Sequence, residues 1–116
     1  MSNTARITRA LMVILDTETA YQLAKHTGWA QNTIRNWLRG ASFPDETKCL
    51  EIASYLGAHP SVILCAVAVD RARARELPEA VIVAWQEGVQ TLADQLSPNW
   101  RQWSEANAGA LSRLKD

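Results

Sequence analysis

Two stretches with helical spacing, Ala20 to His26 and Gln31 to Arg39, stand only four residues apart, with Gly28 between them. Helices this short do not persist alone in water, so each must lie against other apolar surface. A connection this tight makes each the other's first neighbour. The first stretch opens on Thr19 followed three residues later by Gln22, a capping box in which each side chain satisfies a free backbone N–H of the other. Gly28 is the residue best able to take the left-handed conformation that closes a helix. In the second stretch Ile34, Trp37 and Leu38 recur at helical spacing, while Gln31, Asn32, Arg35, Asn36 and Arg39 cover the remaining surface, and Gly40 follows its end. Ala24 is small enough for two helices to cross closely. Leu23, Trp29, Ile34 and Trp37 are expected to anchor the pair to a core, so that the polar face of the second helix projects outward at a fixed angle. A DNA major groove accepts that shape.

The flanking sequence reads as further helices. Ile7, Leu11 and Ile14 give an amphipathic first helix over Thr4 to Leu15, with Arg6 and Arg9 on other faces. A fourth helix is expected over Pro44 to Leu56, capped by Ser42, with Asp45 in its first turn and Cys49, Ile52, Ala53 and Leu56 inward. His59-Pro60-Ser61 opens a fifth, whose run Val62 to Val69 is apolar on every face. That run also suits a buried strand, but the chain offers no second strand to pair with it, which favours a helix. Pro78 starts a sixth helix, with Val81, Trp85, Gly88, Leu92 and Leu96 along one stripe. Ser97-Pro98 breaks it, and Trp100, Trp103, Ala106 and Leu111 suggest a short tail helix. The expected fold is all-α: five helices within residues 1–76, then an extension of one or two helices over 77–116.

Charge is distributed unevenly behind a formal net charge of zero. Residues 1–75 hold nine basic against six acidic side chains, and residues 76–116 hold three against six, so the front is +3 and the back is −3. Thr19 to Pro44 contains Lys25, Arg35 and Arg39 and no acid at all. A phosphate-facing surface needs that asymmetry. The longest apolar runs, Ala10 to Leu15 and Val62 to Val69, fall far short of the roughly 20 residues a membrane-spanning helix requires. With no secretory pattern at the start either, the expected location is the cytoplasm, at the nucleoid.

As a joint pattern, Ala24, Gly28, the apolar set Leu23, Trp29, Ile34 and Trp37, and the element Trp37-Leu-Arg-Gly-x-x-x-Pro44 resemble the phage repressor and Cro type of helix-turn-helix domain. The likeness covers residues 4 to 72 and extends loosely to small regulators of filamentous phages. It implies a five-helix, lambda-repressor-like DNA-binding domain and a sequence-specific transcriptional regulator, a repressor of phage or prophage origin, with double-stranded DNA as its partner. It also implies that Gln31, Asn32, Arg35 and Asn36 read bases, in agreement with the pairing of Gln or Asn to adenine and of Arg to guanine. Lys25, Thr33 and Arg39 are assigned to DNA phosphates. So is the backbone at Ala30, where many relatives carry a capping Ser or Thr and the free N–H groups here can hold an anion. Ala20 departs from the Gln that commonly opens the second helix in the family, removing one phosphate contact.

The remaining residues carry plainer expectations. Cys49 and Cys65 have no zinc-ribbon or redox spacing and are expected to be buried thiols. His26 and His59 lack neighbouring ligands, so no metal and no cofactor is expected. Arg71, Arg73 and Arg75 suit either the C-terminal end of the fifth helix or DNA. No nucleophile, phosphate-binding loop or paired acid suggests an enzyme. Val81, Trp85, Leu92, Leu96, Trp100 and Trp103 exceed what one helix can hide, which points to homodimerisation through residues 77–116 or to a protein partner there, the competing possibility being that the stripe packs back on the fifth helix over Val62 to Val69 within one copy. The competing function is a mobile-element protein-interaction module, such as an inhibitor of a host defence complex, built on the same helices.

Overall fold

A computed structural model describes residues 2–96, 98 and 100–113, with Trp100 described by its backbone alone. Among the described residues there are eight helices and no strand: α1 (Asn3–Ile14), α2 (Ala20–Thr27), α3 (Gln31–Arg39), α4 (Glu46–Leu56), α5 (Pro60–Ala74), α6 (Glu79–Leu96), α7 (Trp100–Ala106) and α8 (Ala108–Ser112). None of the described helices is long and apolar enough to cross a membrane.

Local chemistry explains where the helices begin. Ser2 accepts from the Ala5 N–H at 3.0 Å, and Thr19 accepts from the Gln22 N–H at 3.1 Å. The Gln22 side chain reaches back one residue further than a strict capping box, accepting from the Glu18 N–H at 2.6 Å. His59 caps α5 by accepting from the Ser61 N–H through its ring nitrogen, with Pro60 in the first turn where its missing N–H costs nothing. The start of α4 corrects the sequence-based expectation. Asp45, not Ser42, is its N-cap, accepting from the Lys48 N–H at 2.8 Å, and Pro44 lies ahead of the helix. A carboxylate at that position also meets the positive end of the helix dipole, which a serine cannot match.

The endings are partly unexpected. Gly28 (φ 81°) closes α2 in the left-handed region. Asp16 (φ 52°) and Glu76 (φ 56°) take the same conformation after α1 and α5 without the freedom of glycine. Their helices are closed by Thr17 N–H to the Met12 carbonyl at 2.8 Å and Leu77 N–H to the Ala72 carbonyl at 3.2 Å.

The main core gathers Leu11, Leu23, Trp29, Ile34, Trp37, Cys49, Ile52, Ala53, Ile63 and Val67 from the first five helices and the turn that follows α2. Each fully buried Leu, Ile or Val contributes about 1.5–3 kcal/mol, so Leu11, Leu23, Ile34, Ile52 and Val67 dominate the cohesion of this unit. α1 packs on α3, α4 and α5, and α3 packs also on α2. The inward face of α1 is not the expected one. Thr4, Ala5, Thr8 and Leu11 are buried, Ile7 is half-buried, and Ile14 is exposed. The buried hydroxyls are satisfied: Thr8 donates to the Thr4 carbonyl at 2.7 Å, and Thr4 donates to Asp70 at 2.6 Å. Threonine is therefore at home on a face that hydropathy alone assigned to Ile7 and Ile14.

A second core joins α5 to α6 through Ala66, Val69, Ala72, Ile82 and Val89. The run Val62 to Val69 is helical, as the absence of a partner strand implied, and it is apolar all round because it serves two cores at once. Of the stripe read on α6, Val81 and Trp85 are exposed and Leu92 and Leu96 are half-buried; Ile82 and Val89 make the buried seam. α6 thus packs back on α5 and leaves the Val81–Trp85 flank uncovered. Trp103 of α7 stands half-buried beside His59, with ring centroids 5.2 Å apart, while the Trp100 side chain lies outside the described residues.

Candidate nucleic-acid interface

The three residues between α2 and α3 are pinned on both sides. Thr27 donates to the Leu23 carbonyl at 2.8 Å and accepts from the Trp29 N–H at 3.2 Å, while the Gly28 N–H returns to the Ala24 carbonyl at 2.8 Å. Trp29 then enters the core edge-on to Trp37 (5.6 Å) and Tyr55 (5.7 Å), with the Lys48 ammonium 5.0 Å from its ring centre. Such contacts tie the turn to α4 as well as to α3. Tyr55 and Lys48 were not singled out in the sequence, since their partnership with Trp29 spans the chain.

α3 is divided sharply. Ile34 and Trp37 are buried to 0% and 2% exposure, so its orientation is fixed by the core. On its other faces Asn32, Arg35 and Arg39 are exposed, and Gln31, Thr33 and Asn36 are half-buried. The four residues assigned to base reading are therefore unequal. Asn36 is also engaged, because the Arg39 guanidinium donates to its side-chain oxygen. Ala30 provides no side-chain cap, so the N–H groups of the first turn of α3 face outward without a side-chain acceptor, at the positive end of the helix. Lys25 on α2 is exposed, with its ammonium 5.2 Å from the centre of the exposed Tyr21 ring. The arrangement offers donors and cations, without an acid on α2, on α3 or in the turn between them.

Two of the three arginines at the end of α5 make contacts within the fold. Arg71 donates to the Pro44 carbonyl and faces Glu46 at 3.9 Å, and Arg73 pairs with Glu79 at 3.7 Å, leaving Arg75 exposed at the cap. Of the two thiols Cys49 is fully buried and Cys65 half-buried. Desolvation pushes the Cys49 thiol up to about 11, which makes it an inert core residue. Among the described residues no three potential metal ligands cluster.

Asp70 escaped the sequence reading. It is 3% exposed and accepts from the Asn3 N–H at 2.9 Å, from the Thr4 N–H at 2.6 Å and from the Thr4 hydroxyl. Its position betrays it: Ile63, Val67 and Asp70 follow one another at i, i+4 and i+7, so helical periodicity puts the acid on the buried face.

Comparison with family models, with curated proteins and with solved structures found no match to this chain.

Proposed function

We propose that this chain is a sequence-specific DNA-binding regulator of the lambda-repressor-like helix-turn-helix type, in which α3 enters the major groove. One observation carries the reading: α3 is locked into the core by Ile34 and Trp37, yet presents Asn32 and Arg35 to solvent next to an uncapped, acid-free N-terminus. Rigid mounting fixes the angle of approach, amide and guanidinium groups match the hydrogen-bonding edges of adenine and guanine, and the open N–H groups suit a phosphate. Lys25, Thr33 and Arg39 supply further backbone contacts on the same surface. Two copies related by a twofold axis, joined through residues 77–116, would meet half-sites about one DNA turn apart. The role is that of a repressor of phage or prophage origin acting at the nucleoid.

Selection of binding sites from random duplex DNA tests the proposal. A regulator of this kind enriches one sequence, binds it with an affinity that falls steeply as salt rises, and loses salt sensitivity when Lys25, Arg35 and Arg39 are neutralised together. Absence of duplex binding at low salt by the folded chain would overturn it in favour of a protein-interaction module.

A further inference from the structure

We infer that two copies of this chain pair through the face that α5 and α6 form on the side of Trp85, with Gly88 where the two α6 helices cross. The inference rests on the paired-regulator reading and gives that pairing its surface.

Helical spacing divides α6 into three faces. Ile82 and Val89 press on α5; Val81, Trp85, Gly88 and Leu92, at i, i+4, i+7 and i+11, run along one flank; Glu79, Glu87 and Asp94 run along the other. On the apolar flank Val81 is 44% and Trp85 47% exposed. Beside them lie two hollows of about 390 and 190 Å³ that share Ala68 and Trp85. The first extends to Phe43 and Ala74, the second to Cys65 and Leu92. A projecting indole thus stands beside a shallow trough floored by alanine, and a twofold operation can place the indole of each copy in the trough of the other. Self-complementarity of this sort is what an isologous interface requires.

Gly88 supplies an independent argument. A Cβ built there meets nothing within 4 Å, so no contact inside one copy calls for glycine in the middle of an 18-residue helix. Glycine is a poor helix residue, and one role that repays it in mid-helix is the close approach of another backbone. A second α6 crossing at this point provides one.

Area and charge are compatible with a second copy. A helix of 18 residues is about 27 Å long, and with a neighbour about 10 Å away the pair presents a footprint of roughly 500 Å². That footprint approaches the roughly 600–1,000 Å² per partner of a stable interface. Among the described residues that line the trough the charged ones are Arg71 and Arg75, and both lie at its Phe43 end. A twofold axis beside Gly88 and perpendicular to α6 runs the two α6 helices antiparallel and sets that end of one copy against the Leu92 end of the other, so the arginines do not meet and the acidic flank stays in solvent.

Sedimentation velocity of the full chain at micromolar concentration, without DNA, tests the surface using Gly88→Ala, Ala68→Trp and Trp85→Ala. The expected wild type is a dimer. Gly88→Ala should raise the thermal midpoint of the dissociated chain through better helix propensity while weakening the dimer about tenfold or more, opposite effects that simple misfolding cannot produce. Ala68→Trp and Trp85→Ala should give monomers with wild-type helical circular dichroism. A dimer that ignores all three substitutions overturns this surface and leaves pairing elsewhere. A monomeric wild type overturns the surface and the pairing together, and leaves DNA contact by α3 to be judged by its own selection experiment.

Discussion

The carboxylate of Asp70 accepts from both the backbone N–H and the hydroxyl of Thr4, each at 2.6 Å, and so clasps the first turn of α1 to the C-terminal half of α5. Asn3 completes the clasp, donating its backbone N–H to Asp70, and its side-chain amide to the Ala66 carbonyl and to Gln86 of α6. A buried carboxylate is tolerated here because its oxygens meet three donors at the positive end of a helix. The clasp draws α1, α5 and α6 together at the seam between the two cores.

Replacing Asp70 by alanine should therefore be among the most damaging single changes outside the apolar core. It strands the Thr4 N–H and hydroxyl in a buried setting, and hydrogen bonds to a charged group contribute about 1.5–3 kcal/mol. Urea unfolding of Asp70→Ala should show a loss of about 3 kcal/mol, with Asp70→Asn intermediate because it keeps an acceptor. A loss below about 0.5 kcal/mol would show that water replaces the carboxylate without cost.

The two thiols should separate cleanly. At pH 8 in native buffer a disulfide reagent should modify Cys65 and spare Cys49, which becomes reactive only as the chain unfolds. Because burial raises the folded Cys49 thiol from 9.0 to about 11, the unfolded chain ionises first as pH rises. Stability is then fully present below pH 9 and declines between about pH 9 and 11, by on the order of 2 kcal/mol. Cys49→Ala should flatten that decline; an unchanged slope in the variant would assign it to other groups.

Much of the architecture was legible because Thr19, Gly28 and Gly40 signal their helix ends locally and because Leu23, Ile34 and Trp37 keep strict helical spacing. The candidate surface of α3 followed from the same spacing, since the positions off the Ile34, Trp37 and Leu38 face turn toward solvent. What hydropathy missed was decided by partners distant in sequence. Thr4 and Thr8 are inward because Asp70 and a carbonyl satisfy them, and Ile14 is outward while Met12 and Leu15 on either side of it pack against the core. Asp45 displaces Ser42 as a cap for a reason confined to the geometry of one turn. Nor does the sequence reveal that Arg39 holds Asn36, a contact between two residues that each looked free.

Arg71 offers a test of structure against charge. Its guanidinium donates to the Pro44 carbonyl and faces Glu46, so it braces the segment leading into α4. Arg71→Ala should cost about 1 kcal/mol of stability while leaving the salt dependence of DNA binding unchanged. Arg75→Ala, at an exposed cap, should leave stability within about 0.5 kcal/mol of wild type. If Arg71→Ala instead lowers the salt slope without changing the unfolding midpoint, the residue touches phosphate.

The contact between Arg39 and Asn36 makes the sharpest prediction for the proposed DNA surface. An asparagine that pairs bidentately with adenine must offer its oxygen to the base and its amide to the ring nitrogen. In the free chain the Asn36 oxygen is already occupied by Arg39, whereas Asn32 and Arg35 are exposed on the same helix. Asn32→Ala and Arg35→Ala should each lose about 1–3 kcal/mol on the selected site and much less on random DNA. Gln31, half-buried, should follow them with a smaller loss. Asn36→Ala and Arg39→Ala should behave as one unit: each modest alone, with a double-mutant coupling above about 0.5 kcal/mol. Measuring the five single variants and the Asn36/Arg39 double mutant on both DNAs decides the matter. An Asn36→Ala loss as specific as that of Asn32→Ala, uncoupled from Arg39, would mean that DNA breaks the contact and recruits Asn36 as a reader in its own right.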